Sequence, residues 1–143
     1  TEYLSILGAG RSRILPRGTI MVSCIGNLGK IAIADCELVT NQQINSLIPK
    51  TEADSEYLYF CCRTLQGTLE KLAASTTLKI VNKTAFASIE VPIPSLLTQY
   101  HIASELRGKM AQAEKLKVAI QKQLETIDVL PQAILRKAFR GEL

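Results

Sequence analysis

A chain of 143 residues with 47% hydrophobic and 21% charged side chains has the make-up of a folded protein with a real core, which leaves no room for a large disordered segment. Its net charge of +4 is too small to mark a nucleic-acid binder by bulk attraction alone. No apolar run is long enough to span a bilayer and no signal peptide opens the chain, so a soluble, cytoplasmic protein is expected.

The chain opens on "TEYLSILGAG" without a Met, which reads as a processing or artificial boundary, with part of a domain expected to be missing before it. The next stretch, "GTIMVSCIGNLGKIAIADCELVTNQQINSLIP", has the pattern of a β-meander. Apolar, β-branched pieces at residues 19–25, 30–34 and 43–48 are separated by "GNLG" and "ADCE". Two glycines around an Asn suit a tight turn with positive φ. After Pro49 the period changes. Leu58, Cys61, Cys62, Leu65, Leu69 and Leu72 recur at steps of three and four, one face of a helix over residues 55–73 capped by Asp54 or Ser55. "ASTTLKIVNKTAFASIEVPIP" returns to short extended pieces and loop, closed by Pro92 and Pro94.

From Ser95 or Thr98 the text is helical. Leu106, Met110, Ala113, Ile120, Leu124 and Ile127 form a narrow seam of coiled-coil spacing, with Lys117 its one polar intruder. A helix over residues 98–130 would be roughly 50 Å long, and its seam calls for another helix, from a second copy or a partner chain. Pro131 is expected to end or kink it. "PQAILRKAFRGEL" then reads as a short basic helix with Pro in its first turn and Gly141 at its stop.

Four cysteines, Cys24, Cys36, Cys61 and Cys62, show no CxxC pair and have one distant histidine, so they read as small buried apolar residues in a reducing compartment rather than a metal site. His101 has no triad partners near it and reads as a solvated helix residue. "GAGRSR" and "GNLGK" miss the spacing of phosphate-binding loops and read as turns. Nothing in the pattern supports an enzyme active site. What remains is a set of polar groups: Arg11, Arg13 and Arg17 in one glycine-bearing loop, Asn27 and Lys30 at the tight turn, Gln42 and Gln43 among four amides in "TNQQIN", and Ser75, Thr76, Thr77 and Lys79 in one loop. Each alone is ordinary surface. Together they are the hydroxyl, amide and cationic groups that contact phosphates and base edges on duplex DNA. Among the amides, Asn41 with one glutamine is expected to satisfy turn backbone while the other projects outward beside Lys30.

Seven elements stand in a telling order: "LPRGT" at 15–19, "GNLGK" at 26–30, "TNQQ" at 40–43, a helix at 55–73, "STT" at 75–77, "PIP" at 92–94 and Gln99 at a helix start. Followed by a long helix and "LPQAILRKAFRGEL", they resemble the target recognition domain and spacer helix of a type I restriction-modification specificity subunit. The resemblance covers nearly the whole chain from Leu15 and implies an α+β fold: a mixed β-sheet recognition domain with a packed helix over residues 1–94, then a dimerising coiled-coil helix and short terminal helix over 95–143. A complete subunit holds two of each, so this chain resembles a half-length or truncated one.

The resemblance further implies a non-catalytic chain that reads one half of a bipartite site in double-stranded DNA and scaffolds methyltransferase subunits and, through them, a restriction subunit. Arg11, Arg13, Asn27, Lys30, Gln42, Gln43, Ser75, Thr76, Thr77 and Lys79 are the expected DNA contacts. A homodimer through the long helix would set two reading heads a fixed distance apart, on the scale of the roughly 34 Å between half-sites one helical turn apart. S-adenosylmethionine, ATP and Mg would be used by partner subunits, with no cofactor bound here. The rival reading is a coiled-coil assembly module whose head binds a protein.

Overall fold

The computed structural model describes residues 3–73 and 79–142. In chain order the elements are α1 (Ile6–Ala9), β1 (Ile20–Ser23), β2 (Ile31–Ile33), β3 (Ile44–Leu47), α2 (Ser55–Arg63), α3 (Gln66–Leu72), α4 (Lys83–Ala87) and α5 (Leu96–Phe139). The chain divides into two compact units, Thr1–Ala103 and Ser104–Leu143, the division falling inside α5.

The three strands of the first unit lie where the apolar β-branched runs place them, but they do not form a meander. The sheet order is β2-β1-β3, antiparallel throughout. The reason lies in burial: β1 carries Ile20 and Val22, both fully buried, and a strand in the middle of a sheet has neither edge exposed to water. Fully burying side chains of this size contributes about 1.5–3 kcal/mol each. Leu58 and Cys62 of α2, Leu69 of α3 and Val81 close over Ile20, Val22 and Cys24 to make the core.

The helix read across residues 55–73 is two helices. Asp54 caps α2, its carboxylate accepting from the Tyr57 N–H at 2.8 Å. At the other end the Thr64 N–H and hydroxyl both bond to the Cys61 carbonyl, at 3.0 and 2.8 Å, tightening the last turn and satisfying an orphan acceptor. The apolar rhythm survives the break, with Leu65 packed against the core, so periodicity alone could not reveal it. A short helix also replaces expected loop: α4, capped by Asn82, whose Oδ1 accepts from the Ala85 N–H at 2.8 Å; α1, ahead of the sheet, is capped by Ser5.

Buried near the start of α5 is Gln99, with every polar atom of its amide occupied. Its Oε1 accepts from the Asp54 N–H at 2.8 Å, while Nε2 donates to the carbonyls of Glu52 at 2.9 Å and Pro94 at 2.7 Å. One side chain thus joins the α2 cap, the proline-rich segment and the first turns of α5. Tyr57 adds a second tie, its hydroxyl donating to the Pro92 carbonyl at 2.9 Å.

The cysteines split. Cys24 and Cys62 are buried, but Cys61 is half-buried and Cys36 exposed, which corrects the expectation that all four are core residues. Cys36 follows Asp35 in the polar "ADCE" turn and is exposed there. Burial, with a smaller contribution from the adjacent Cys61, pushes the Cys62 thiol up to about 11 from an ordinary value near 9. The native state therefore favours the protonated thiol. Its contribution to stability is complete below the unfolded value and declines as pH rises between the two, because the unfolded chain then holds fewer protons than the native one. At pH 8, a maleimide labels Cys36 in the native protein and reaches Cys24 and Cys62 only with denaturant, as peptide mass mapping will read; native labelling of Cys62 at the Cys36 rate contradicts this packing.

In the second unit α5 does not stop at Pro131. The expected short basic helix is its direct continuation to Phe139, with Pro131 inside it. An interior proline removes one backbone hydrogen bond and costs about 3 kcal/mol against alanine. The flanking residues are mostly good helix formers and keep the helix going. Gly141, at φ 70°, ends it as expected. The Glu142 N–H closes back onto the Lys137 carbonyl at 3.0 Å, a Schellman-type stop.

Candidate nucleic-acid interface

Four of the expected contacts gather at the C-terminal end of β1. Ser23 clamps the β1–β2 turn: its N–H donates to the Lys30 carbonyl at 2.9 Å and its carbonyl accepts from the Gly29 N–H at 2.9 Å. Its hydroxyl donates to the Asn27 carbonyl and accepts from the Lys30 N–H. Gly26 and Gly29 take φ of 72° and 76°, so the turn closes without the penalty a side chain would incur there. The Asn27 and Lys30 side chains are left exposed on this rigid turn.

Two further segments dock beside it. The Gly26 N–H donates to the Lys79 carbonyl at 2.9 Å, and the Cys24 N–H to the Gln43 carbonyl at 2.7 Å. Backbone contacts therefore bring Asn27, Lys30, Gln43 and Lys79 to one end of the sheet, with Gln42 adjacent in the turn before β3. The side chains of Gln42, Gln43 and Lys79 are also exposed. Ser75, Thr76 and Thr77 lie outside the described residues.

The four amides divide by task. Asn41 Oδ1 accepts from the Gln43 N–H at 3.0 Å, an Asx turn. The Asn45 Nδ2 donates to the Val81 carbonyl at 3.2 Å, tying β3 to the segment after Lys79. Both glutamine side chains are exposed to solvent. The expectation that one glutamine would satisfy turn backbone is corrected: Asn41 acts alone there.

Arg11 and Arg13 are exposed. Arg13 lies on a separate open groove of about 620 Å³ beside β3, whose lining also includes Asn45, Ser46 and Lys83. Arg63 was missed by sequence reading. It sits 5.9 Å from the Tyr59 ring centroid, in a small hollow shared with Gly29 and Ile31. The i, i+4 spacing of Tyr59 and Arg63 on a helix was the available signal.

In the second unit, the five larger seam residues Leu106, Met110, Ile120, Leu124 and Ile127 are 36–57% exposed. Apolar exposure extends past the seam to Leu116, Val118, Val129 and Leu135. Lys117, inside the seam, reaches Glu114 at 3.7 Å, an exposed pair of little energetic weight. Among the described residues, no helix is long and apolar enough to cross a membrane.

Comparison with known proteins places this architecture. The family described as type I restriction modification DNA specificity domain matches residues 2–126. The type I restriction enzyme MjaIX specificity subunit of Methanocaldococcus jannaschii is 35% identical over 96 residues, 66% of this chain and 22% of that protein. The HindI specificity subunit of Haemophilus influenzae is 36% identical over 100 residues, again 66% and 22%. Among solved structures, one from work on complex assembly and conformational transition of the type I R-M system aligns with a TM-score of 0.82 at 24% identity. That alignment covers 92% of this chain and 33% of that one. The HsdS subunit from Thermoanaerobacter tengcongensis aligns with a TM-score of 0.68 at 25% identity, over 91% and 31%. The chain thus spans between a fifth and a third of the length of these relatives. The family match covers well over half of the chain, and the three-stranded sheet followed by a long helix is the α+β arrangement it calls for: the chain belongs to the type I restriction modification DNA specificity domain family.

Proposed function

We propose that this chain reads one half of a bipartite DNA target and scaffolds the methyltransferase and restriction subunits of a type I system. Family membership supports the reading. The single structural observation that carries it is the convergence, at one end of the sheet, of exposed Asn27 and Lys30 on the β1–β2 turn with exposed Gln43 and Lys79 on the two segments docked beside it. Lysines at such a site contact phosphates and fix register; amides contact base edges, each good bidentate pair being worth about 1–3 kcal/mol of discrimination.

The chain supplies recognition rather than chemistry in this reading. S-adenosylmethionine, ATP and Mg belong to the partner subunits, and the assembly works in the cytoplasm. The residue 1–94 segment is the recognition domain and 95–143 the spacer, whose exposed seam pairs with a second copy to make a homodimer. Titrating a labelled random-sequence duplex with the chain at several salt concentrations tests the DNA reading. Log affinity falls linearly with log salt, and Lys30→Ala and Lys79→Ala each lower the slope by about 1. A flat salt response in the wild type contradicts it and favours a protein-docking module.

A further inference from the structure

The junction between α2 and α3 closes against the turn that carries Asn27 and Lys30, and two contacts put it there. A side chain at Gly29 would meet the Gln66 Oε1, so α3 comes right up to the turn at that glycine. Gln66 is itself held, its Nε2 donating to the Glu70 Oε1 at 2.9 Å. Three residues before Gln66, Arg63 shares a hollow with Gly29, Ile31 and Tyr59. Gly29 and Ile31 are the chain neighbours of Lys30, so Arg63 and Lys30 border the same stretch of the turn.

Arg63 is steadied on its own helix. Its guanidinium carbon lies 5.9 Å from the Tyr59 ring centroid. Tyr59 in turn packs against the core and meets the Phe60 ring edge-on, the centroids 5.4 Å apart. An aromatic platform of this kind narrows the range of a long cationic side chain before any ligand arrives. The guanidinium is exposed, and no carboxylate lines the hollow. Its planar donors fit two oxygens of one phosphate.

The sheet order says which flank of the cluster this is. β2 and β3 lie on opposite sides of β1. The Cys24 N–H and C=O, which point the same way in an extended chain, bond to Gln43 at 2.7 Å and to Val81 at 2.8 Å, so the segments bearing Gln43 and Lys79 both stand on the β3 side. Arg63 stands on the other, beside Ile31 at the start of β2. A duplex groove is bounded by two phosphate backbones, so a head that reads base edges meets phosphates on both flanks. We propose that Arg63 is a further DNA contact, binding a backbone phosphate beside Lys30 on the β2 flank while Lys79 serves the β3 flank. The inference rests on the DNA reading of this turn. Arg63 also lies in the last turn of α2, where a cation favours the helix end, but that role by itself leaves the salt dependence of DNA binding unmoved.

The test extends the salt titration of the full chain on a labelled random-sequence duplex to Arg63→Gln and Arg63→Lys, with thermal melting and selection from a randomised duplex pool alongside. Arg63→Gln makes the salt slope shallower by about 1 and weakens binding to all duplexes alike. Arg63→Lys keeps the slope because the charge stays, yet binds several-fold more weakly because an ammonium lacks the planar pair of donors. The melting curves stay in place, as expected of an exposed position. A slope unchanged by Arg63→Gln while Lys30→Ala still lowers it overturns this inference and leaves the DNA reading standing, and a lowered melting temperature with that same unchanged slope assigns Arg63 to the helix end alone. A base preference altered by Arg63→Gln makes it a base reader and overturns the phosphate assignment. A flat salt response in the wild type removes the DNA reading itself, and this contact with it.

Discussion

Gln99→Leu unfolds the N-terminal unit under conditions where the parent chain is stable. Leucine is close to glutamine in volume and fills the site, so the loss is polar. The Asp54 N–H and the carbonyls of Glu52 and Pro94 lose their partner together. Each buried backbone group left unsatisfied costs about 1–3 kcal/mol, so even if water reaches one of the three the other two cost about 2–6 kcal/mol together. That is a large share of the 5–15 kcal/mol that typically holds a domain together. Gln99→Glu separates geometry from mere polarity. Its carboxylate can still accept from Asp54, but its second oxygen faces two carbonyls and repels both. Urea titration monitored by circular dichroism will show both variants shifted to markedly lower midpoints; a Gln99→Leu midpoint equal to that of the parent contradicts the network.

If the α5 seam pairs two copies as proposed, Leu124→Asp converts that dimer to monomer in sedimentation. Leu124 is 48% exposed and sits on the α5 seam between Ile120 and Ile127. A helix whose a and d positions are apolar needs a mate along that stripe. An aspartate there brings an unpaired carboxylate into each half of a packed seam, at about 3–5 kcal/mol per uncompensated charge, enough to weaken dimerisation by a factor of about a hundred or more. Lys122→Ala, also exposed but off the seam, leaves the dimer unchanged. A parent chain that already sediments as a monomer at tens of micromolar contradicts the seam's role, whatever the variant does.

How much of this was legible in the sequence follows from the range of each interaction. The strands, the glycine turn and the start of α2 were readable because their causes are local: β-branched alternation, positive φ at Gly26 and Gly29, and a capping carboxylate at Asp54. Strand order was not, since only the burial of Ile20 and Val22 selects β1 as the centre. Pro131 misled in the opposite direction, because a local helix-breaking rule was overridden by good helix formers on both sides. At the candidate site, the residue types were visible but their division of labour was not. Asn41 and Gln43 differ by two positions, yet one holds backbone and the other faces solvent. Gln99 stands in a motif the sequence displays, while its burial depends on loops more than forty residues away.

In the proposed function, exposed side chains at the end of β1 choose which DNA sequence is modified. Expressing the chain with a type I methyltransferase subunit from the same host and mapping methylated adenines across the genome tests it most directly. The expected result is a bipartite palindromic motif whose base preference changes with Gln43→Ala, while the spacing between its halves stays fixed. The same motif at the same frequency with Gln43→Ala, Asn27→Ala and Lys79→Ala combined would contradict it.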